Sequence, residues 1–266
     1  MTDSETTASH ATISRSGNPV GPALLLIHGW AQDQRIFDKL RAEMAADFDL
    51  YSYDRRGYGA STLVADLSQE HLDVVALVQK LEAKRLTVLG FSQGARIAAR
   101  LASYAPELVN KLIICGGVMD GFNPKTIDHH AIDLEYFKSL AKAGELAELR
   151  QQWLRHPYCC LGMDVSATAK LHDITQDYWA RDLTTERGHD FQFASNVYEQ
   201  LLQQQIPTLF INGEYEAPPR KEMSEQYIAS SVSSTSHREL EIPNAGHMAV
   251  LSHSKQVAQA VESFIG

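Results

Sequence analysis

The stretch Leu86-Thr87-Val88-Leu89-Gly90-Phe91-Ser92-Gln93-Gly94-Ala95-Arg96-Ile97-Ala98 runs from an apolar segment through a glycine-flanked serine into a helical pattern. It predicts a strand, a sharp turn and a helix. Val88 and Leu89 are strand formers, whereas Ala95, Ile97, Ala98, Ala99, Leu101 and Ala102 give the next segment a small apolar packing face. Glycines two residues before and two after Ser92 allow strand and helix to cross closely, and such a turn lifts a serine hydroxyl clear of the sheet edge. Gly, Ser and Gly at this spacing also occur in ordinary loops, so the flanking elements carry the reading.

Upstream, Ala23-Leu24-Leu25-Leu26-Ile27 is the continuous apolar run of a strand buried on both faces, and it ends in His28-Gly29-Trp30. A glycine there lets backbone N–H groups turn toward a common point, although this tripeptide taken alone also suits an ordinary turn. Ala11 to Ser16 reads as an early strand. Ile36, Leu40 and Met44 then share a helical face, Phe48 to Tyr53 alternates like a strand, and Leu72, Val75 and Val78 mark another helix. In the loop Asp54-Arg55-Arg56-Gly57-Tyr58-Gly59-Ala60-Ser61 the arginines are expected to brace backbone carbonyls.

Downstream of the serine, Lys111-Leu112-Ile113-Ile114-Cys115-Gly116-Gly117 is a further buried strand, and the alternation of strands with helices predicts a mostly parallel sheet with right-handed crossovers. The alternation stops near residue 118. Residues 118–205 are helical and aromatic-rich, including Phe137, Trp153, Tyr178 and Trp179, and are expected to form a cap inserted into a core made of 1–117 and 206–266. Ile206 to Gly213 returns to strand, a helix follows from Arg220 to Ser230, His237 to Ile242 is the last strand, and a helix from Ser254 to Ile265 closes the chain.

A formal charge of -9 repels phosphate backbones and anionic lipid, so nucleic acid and membrane surfaces are not expected partners and a small molecule is. Met1 to Gly17 is polar, carries Asp3 and Glu5, and lacks the basic end and apolar stretch of a secretory signal. With no apolar run of about 18 residues, a cytoplasmic protein is expected. Three cysteines make no disulfide framework: Cys115 reads as a buried hydrophobe, and the adjacent Cys159 and Cys160 as cap packing. No spacing suggests zinc.

Taken together, these motifs make the chain resemble the α/β-hydrolase fold superfamily, as a serine esterase-like or lactonase-like member, from about residue 11 to 265. The resemblance implies an oxyanion loop, matched by His28-Gly29-Trp30, a D-x-R-G-x-G-x-S segment, matched by Asp54 to Ser61, and the nucleophile elbow at Ser92. It further implies an acid after the penultimate strand and a histidine after the last one. Among eleven histidines, His247 in Asn244-Ala245-Gly246-His247-Met248 fits the base, with His253 as a structural neighbour. Many relatives have G-x-x-D after the penultimate strand. Here Gly213-Glu214-Tyr215-Glu216 puts Glu216 at the matching position, with Glu214 bracing the loop and Asp120, after the strand ending at Cys115, as the runner-up acid. Backbone N–H groups of Trp30 and Gln93 would bind the oxyanion. Neither a metal nor a cofactor is implied.

The function so implied is cleavage of a small carboxylic ester or lactone through an acyl-enzyme. The cap offers aromatics and leucines rather than clustered positive charge, so an uncharged or modestly polar substrate is expected, with Trp30 and Met248 lining its pocket. Two rivals stand on the same fold. His28-Gly29-Trp30 followed by Asp33-Gln34-Arg35 looks like a segment of cofactor-free quinolone dioxygenases, but those commonly place histidine before the elbow serine, where this chain has Phe91. The other rival is a slow-turnover ligand receptor that keeps the triad.

Overall fold

The structure is a computed structural model that describes residues 13–81, 85–189, 195–232 and 236–266. The start of the expected early strand at Ala11 and Thr12, and the acidic leader with Asp3 and Glu5, lie outside the described residues. Seven strands form one sheet: β1 (Ile13–Gly17), β2 (Ala23–Ile27), β3 (Asp49–Tyr53), β4 (Leu86–Phe91), β5 (Val109–Cys115), β6 (Thr208–Gly213) and β7 (His237–Ile242). Their order is β1-β3-β2-β4-β5-β6-β7, with β1 antiparallel to β3 and all other neighbours parallel. This is the expected mostly parallel sheet.

The apolar runs form strands because both faces are covered. Leu24, Leu26, Leu89, Phe91, Ile113, Leu209 and Ile211 point into one core, while Leu25, Ile27, Val88, Leu112, Ile114 and Phe210 point into the other. A two-residue period within an unbroken apolar run therefore serves both sides. On the first face lie α1 (Asp38–Met44), through Leu40 and Met44, and the closing helix Ser254–Ile265, through Val257, Val261 and Phe264. On the second lie α2 (Glu70–Val78) and α3 (Gln93–Tyr104).

Between β5 and β6 the described residues hold helices only: α4 (Leu134–Ala143), α5 (Leu146–Arg155), α6 (Pro157–Cys160), α7 (Val165–Gln176), α8 (Arg181–Thr184) and α9 (Val197–Gln204). Asp133, Asp164 and Asn196 cap α4, α7 and α9 by accepting from backbone N–H groups within the first turn. The expected insert boundary at 205 needs correcting. Val197, Tyr198 and Leu201 of α9 pack into the same core as α3, so α9 flanks the sheet like the helices of the core. The chain then adds α10 (Pro218–Ser230), α11 (Ala249–Ser252) and α12, the Ser254–Ile265 helix. Among the described residues, no helix is long and apolar enough to cross a membrane.

Register brings the chemistry-bearing loops together. Ile27 pairs with Gly90 and Phe91 with Cys115, so the segments after β2, β4 and β5 leave the sheet side by side at the carboxyl ends of parallel strands. Grooves form at that edge in open parallel sheets.

Candidate active site

Ser92 follows the last residue of β4 and adopts φ 55° and ψ -118°, a left-handed conformation that is strained for a side-chain-bearing residue. The surroundings hold it there: Ser92 N donates to Cys115 O (2.9 Å), and Ala95 N donates to Ser92 O (3.0 Å). Gly94 is required by proximity, because a Cβ on it would lie 2.1 Å from Ile27 O. Helix α3 is thus pressed against the end of β2.

His247 reaches the serine from the turn after β7. Its Nε2 lies 2.9 Å from Ser92 Oγ, and its Nδ1 lies 2.7 Å from Glu216 Oε2. With Nδ1–H donating to the carboxylate, Nε2 is left to accept the serine proton. Phe91 and Tyr158 lie beside the imidazole, with ring centroids 5.2 and 4.7 Å away. Gly116, with φ +54°, makes room for this pair. A Cβ there would fall 2.7 Å from Glu216 Oε2 and 3.0 Å from His247 Nδ1.

Glu216 stands on the turn that leaves β6, where Glu216 N donates to Gly213 O (3.0 Å) and Tyr215 N to Ala245 O (2.9 Å). Its second oxygen, Oε1, accepts from Ala217 N (2.9 Å) and Arg220 Nη1 (2.8 Å). Burial pushes this carboxyl up, but the charges of His247 and Arg220 and the hydrogen bonds outweigh it and hold the pKa at about 2. Glu214 takes the bracing role expected of it, accepting from Asn244 N at 2.7 Å and tying the acid's turn to the histidine's.

The depressed value fixes a sign. A carboxylate whose pKa falls from 4.5 to about 2 on folding stabilises the protein fully above pH 4.5 and loses that contribution as pH drops toward 2. The contribution is roughly 3 kcal/mol for this buried side chain. Urea denaturation across this range should show the loss in the parent protein, and Glu216→Gln should remove that part of the pH dependence.

The runner-up acid is occupied elsewhere. Asp120 accepts from Arg96 Nη1 and from Arg100 Nε (2.6 Å), and makes no hydrogen bond to His247 among the described residues. His253 pairs its Nδ1 with Ser252 Oγ at 2.8 Å, away from the serine.

Trp30 and Gln93 border the same cavity as Ser92. Among the described residues, neither backbone N–H has a protein acceptor, and Gln93 opens α3, where the first N–H groups have no intrahelical partner. Arg55, fully buried, holds the loop that carries Trp30. Its Nη1 donates to His28 O (3.1 Å) and Gly29 O (3.0 Å), while Nε and Nη2 grip Glu70 at 2.7 and 2.9 Å. Nη2 also donates to Gln93 Oε1 at 2.6 Å. The expected bracing of backbone carbonyls by arginine is met at Arg55 and, more weakly, at Arg56, whose Nη1 donates to Val64 O (3.5 Å) while Nη2 binds Asp73 at 2.7 Å. Burial and the Arg55 charge push His28 well below the ordinary imidazole value. Neutral His28 donates from Nδ1 to Gly29 O (2.9 Å) and accepts from Arg55 N at Nε2 (3.1 Å).

Arg55→Met would leave Glu70 as an uncompensated buried charge, which costs about 3–5 kcal/mol. The urea midpoint should fall accordingly, and adding Glu70→Gln should recover part of the loss.

Two site residues were not legible in the sequence. Asp182, on α8, is fully buried and accepts from Trp30 Nε1 (2.8 Å), Tyr178 OH (2.7 Å), Tyr58 OH (3.0 Å) and His189 Nε2 (2.6 Å). Tyr158, on α6, places its ring between His247 and the Arg220 guanidinium, which lies 4.4 Å from it. Both come from the helical insert, where apolar periodicity marks packing and gives no direction toward the serine.

The cavity beside Ser92 has a volume of about 190 Å³. Trp30 lines it, together with Ile132 and Leu134 of the insert and Arg96 and Arg220 of the sheet-flanking helices. Met248 does not. Its side chain is fully buried in the core and its sulfur accepts from Gln32 Nε2 at 3.4 Å, because the turn at His247 directs Met248 inward as the imidazole faces the serine.

Comparison with known proteins agrees with this architecture. The sequence profile of the Alpha/beta hydrolase family matches residues 24–260. A pimeloyl-[acyl-carrier protein] methyl ester esterase of Vibrio parahaemolyticus is 26% identical over 181 residues, covering 58% of this chain and 70% of that protein. An esterase of the same name from Xylella fastidiosa is 25% identical over 256 residues, covering 92% and 95%. Among solved structures, the enol-lactonase from Burkholderia xenovorans LB400 superimposes with a TM-score of 0.73 at 16% identity, covering 96% of each chain.

Proposed function

The chain belongs to the Alpha/beta hydrolase family, and from that premise we propose that it is a serine hydrolase cleaving a small carboxylic ester or lactone through an acyl-enzyme. Ester cleavage is the activity named for the two curated relatives above. The observation that carries the reading is the unbroken hydrogen-bonded line from Ser92 Oγ to His247 Nε2 (2.9 Å) and from His247 Nδ1 to Glu216 Oε2 (2.7 Å).

In this mechanism Ser92 Oγ attacks the carbonyl carbon as His247 Nε2 takes the hydroxyl proton. Glu216 stabilises the imidazolium and keeps Nδ1 protonated. The carbonyl oxygen gathers negative charge, and the backbone N–H groups of Trp30 and Gln93 donate to it. Collapse breaks the carbon–oxygen bond, the alkoxide leaves with the proton held at Nε2, and the acyl group stays on Ser92. Water then attacks the acyl carbon, gives a proton to His247, and releases the acid and free serine.

Cofactor-free oxygenation is the weaker reading, because the base is already hydrogen-bonded to a serine hydroxyl and Phe91 occupies the position before the elbow. A receptor with negligible turnover differs in rate alone. Fluorophosphonate labelling with site mapping, followed by turnover of p-nitrophenyl esters and a lactone panel, tests the proposal. Labelling at Ser92 with turnover supports it; an unlabelled Ser92 in folded protein sinks it.

A further inference from the structure

Among the described residues that line the Ser92 cavity, the permanently charged ones are both cations, Arg96 and Arg220. Their carboxylate partners do not line it, and neither does Asp182, the hydrogen-bond partner of the lining residue His189. Arg96 Nη1 binds Asp120, Arg220 Nη1 binds Glu216 Oε1 at 2.8 Å, and His189 Nε2 meets Asp182 Oδ2 at 2.6 Å. The Arg96 and Arg220 side chains are 17% and 15% exposed, against 5% for Asp120 and 0% for Glu216. Both arginines thus border the cavity while their carboxylate partners lie deeper. Asp120 also accepts from Arg100 Nε at 2.6 Å.

We infer that the cavity receives an acyl group ending in a carboxylate, anchored chiefly by Arg96, and that the ester cleaved at Ser92 is a half-ester of a short dicarboxylic acid. The inference rests on the reading of Ser92 as nucleophile for its cleavage step, though not for binding. An anion entering this wall exchanges water for fixed charged donors in a region of low dielectric. Burial and the nearby charges of Arg100 and Arg220 work against the Arg96 cation despite Asp120, and a bound anion would relieve that repulsion. Short chains follow from the volume of about 190 Å³, below the range of about 300–1,000 Å³ for drug-sized ligands. The sequence expectation of an uncharged substrate looked to the insert for positive charge. The cations stand instead on α3 and α10.

The test uses Ser92→Ala protein, which binds without turnover, and calorimetry with the monomethyl esters of succinic, glutaric and adipic acid. Each is compared with its carboxamide isostere. For at least one chain length the anion should bind about 10- to 100-fold more tightly than the amide. Adding Arg96→Gln should bring that ratio close to one, and Arg96→Lys should restore part of it. A ratio at or below one for all three pairs overturns the inference, as does absence of binding by all three anions, or a ratio that survives Arg96→Gln. Turnover of the same pairs by the parent protein separates the two readings. Anion-selective binding without cleavage defeats the hydrolase reading alone, and cleavage without anion preference defeats this inference alone.

Discussion

Ser92→Ala should lower ester turnover by roughly 10⁴- to 10⁶-fold and abolish covalent labelling by a fluorophosphonate. The reason is the loss of the hydroxyl oxygen that lies 2.9 Å from His247 Nε2 and that would carry the acyl group. The fold should survive. Alanine supplies the same Cβ to the elbow, and the bonds that hold the turn, Ser92 N to Cys115 O and Ala95 N to Ser92 O, are backbone bonds. Thermal melting beside steady-state kinetics checks both halves, and a folded variant with near-parental turnover would remove the acyl-enzyme mechanism.

Glu216→Gln should reduce turnover by about 10²- to 10⁴-fold with a smaller effect on substrate binding. The isosteric amide keeps one oxygen and gains an NH₂ group. Ala217 N and Arg220 Nη1 both donate to Oε1, so the amide oxygen stays with them and the NH₂ turns toward His247 Nδ1. Nδ1 must then accept, which moves the ring proton to Nε2 and leaves no base facing Ser92. Asp120→Asn provides the contrast, because it disrupts the Arg96 and Arg100 pairs and should act mainly on stability, by about 3–5 kcal/mol. Single-turnover acylation in both folded variants distinguishes them, and severe loss in Asp120→Asn with near-normal Glu216→Gln would reassign the acid.

Much of this site could be read from the chain because local rules and tertiary structure agree there. The run Ala23–Ile27 and the last strand His237–Ile242 form where the pattern puts them, and the glycines around Ser92 mark a crossing that only a close approach of backbones requires. Glu216 was legible from its spacing after Gly213. What escaped was set by long-range contact. Asp182 collects donors from residues as much as 152 positions away, and no local pattern distinguishes it from a solvated helix-start aspartate. Gly116 reads as the ordinary end of a strand until Glu216 and His247 arrive beside it. Met248 was misplaced for the related reason that adjacency in sequence to His247 says little about which way the next side chain points.

The clamp formed by Arg55 bears on how the site comes apart. One guanidinium joins the carbonyls of His28 and Gly29 to Glu70 on α2 and to the Gln93 side chain on α3. Local opening of that loop would strand a buried cation and a buried carboxylate together, so the loop has no inexpensive breathing mode of its own and belongs to the same cooperative unit as the sheet-flanking helices. Rigidity of the loop that carries Trp30 is then inherited from global stability.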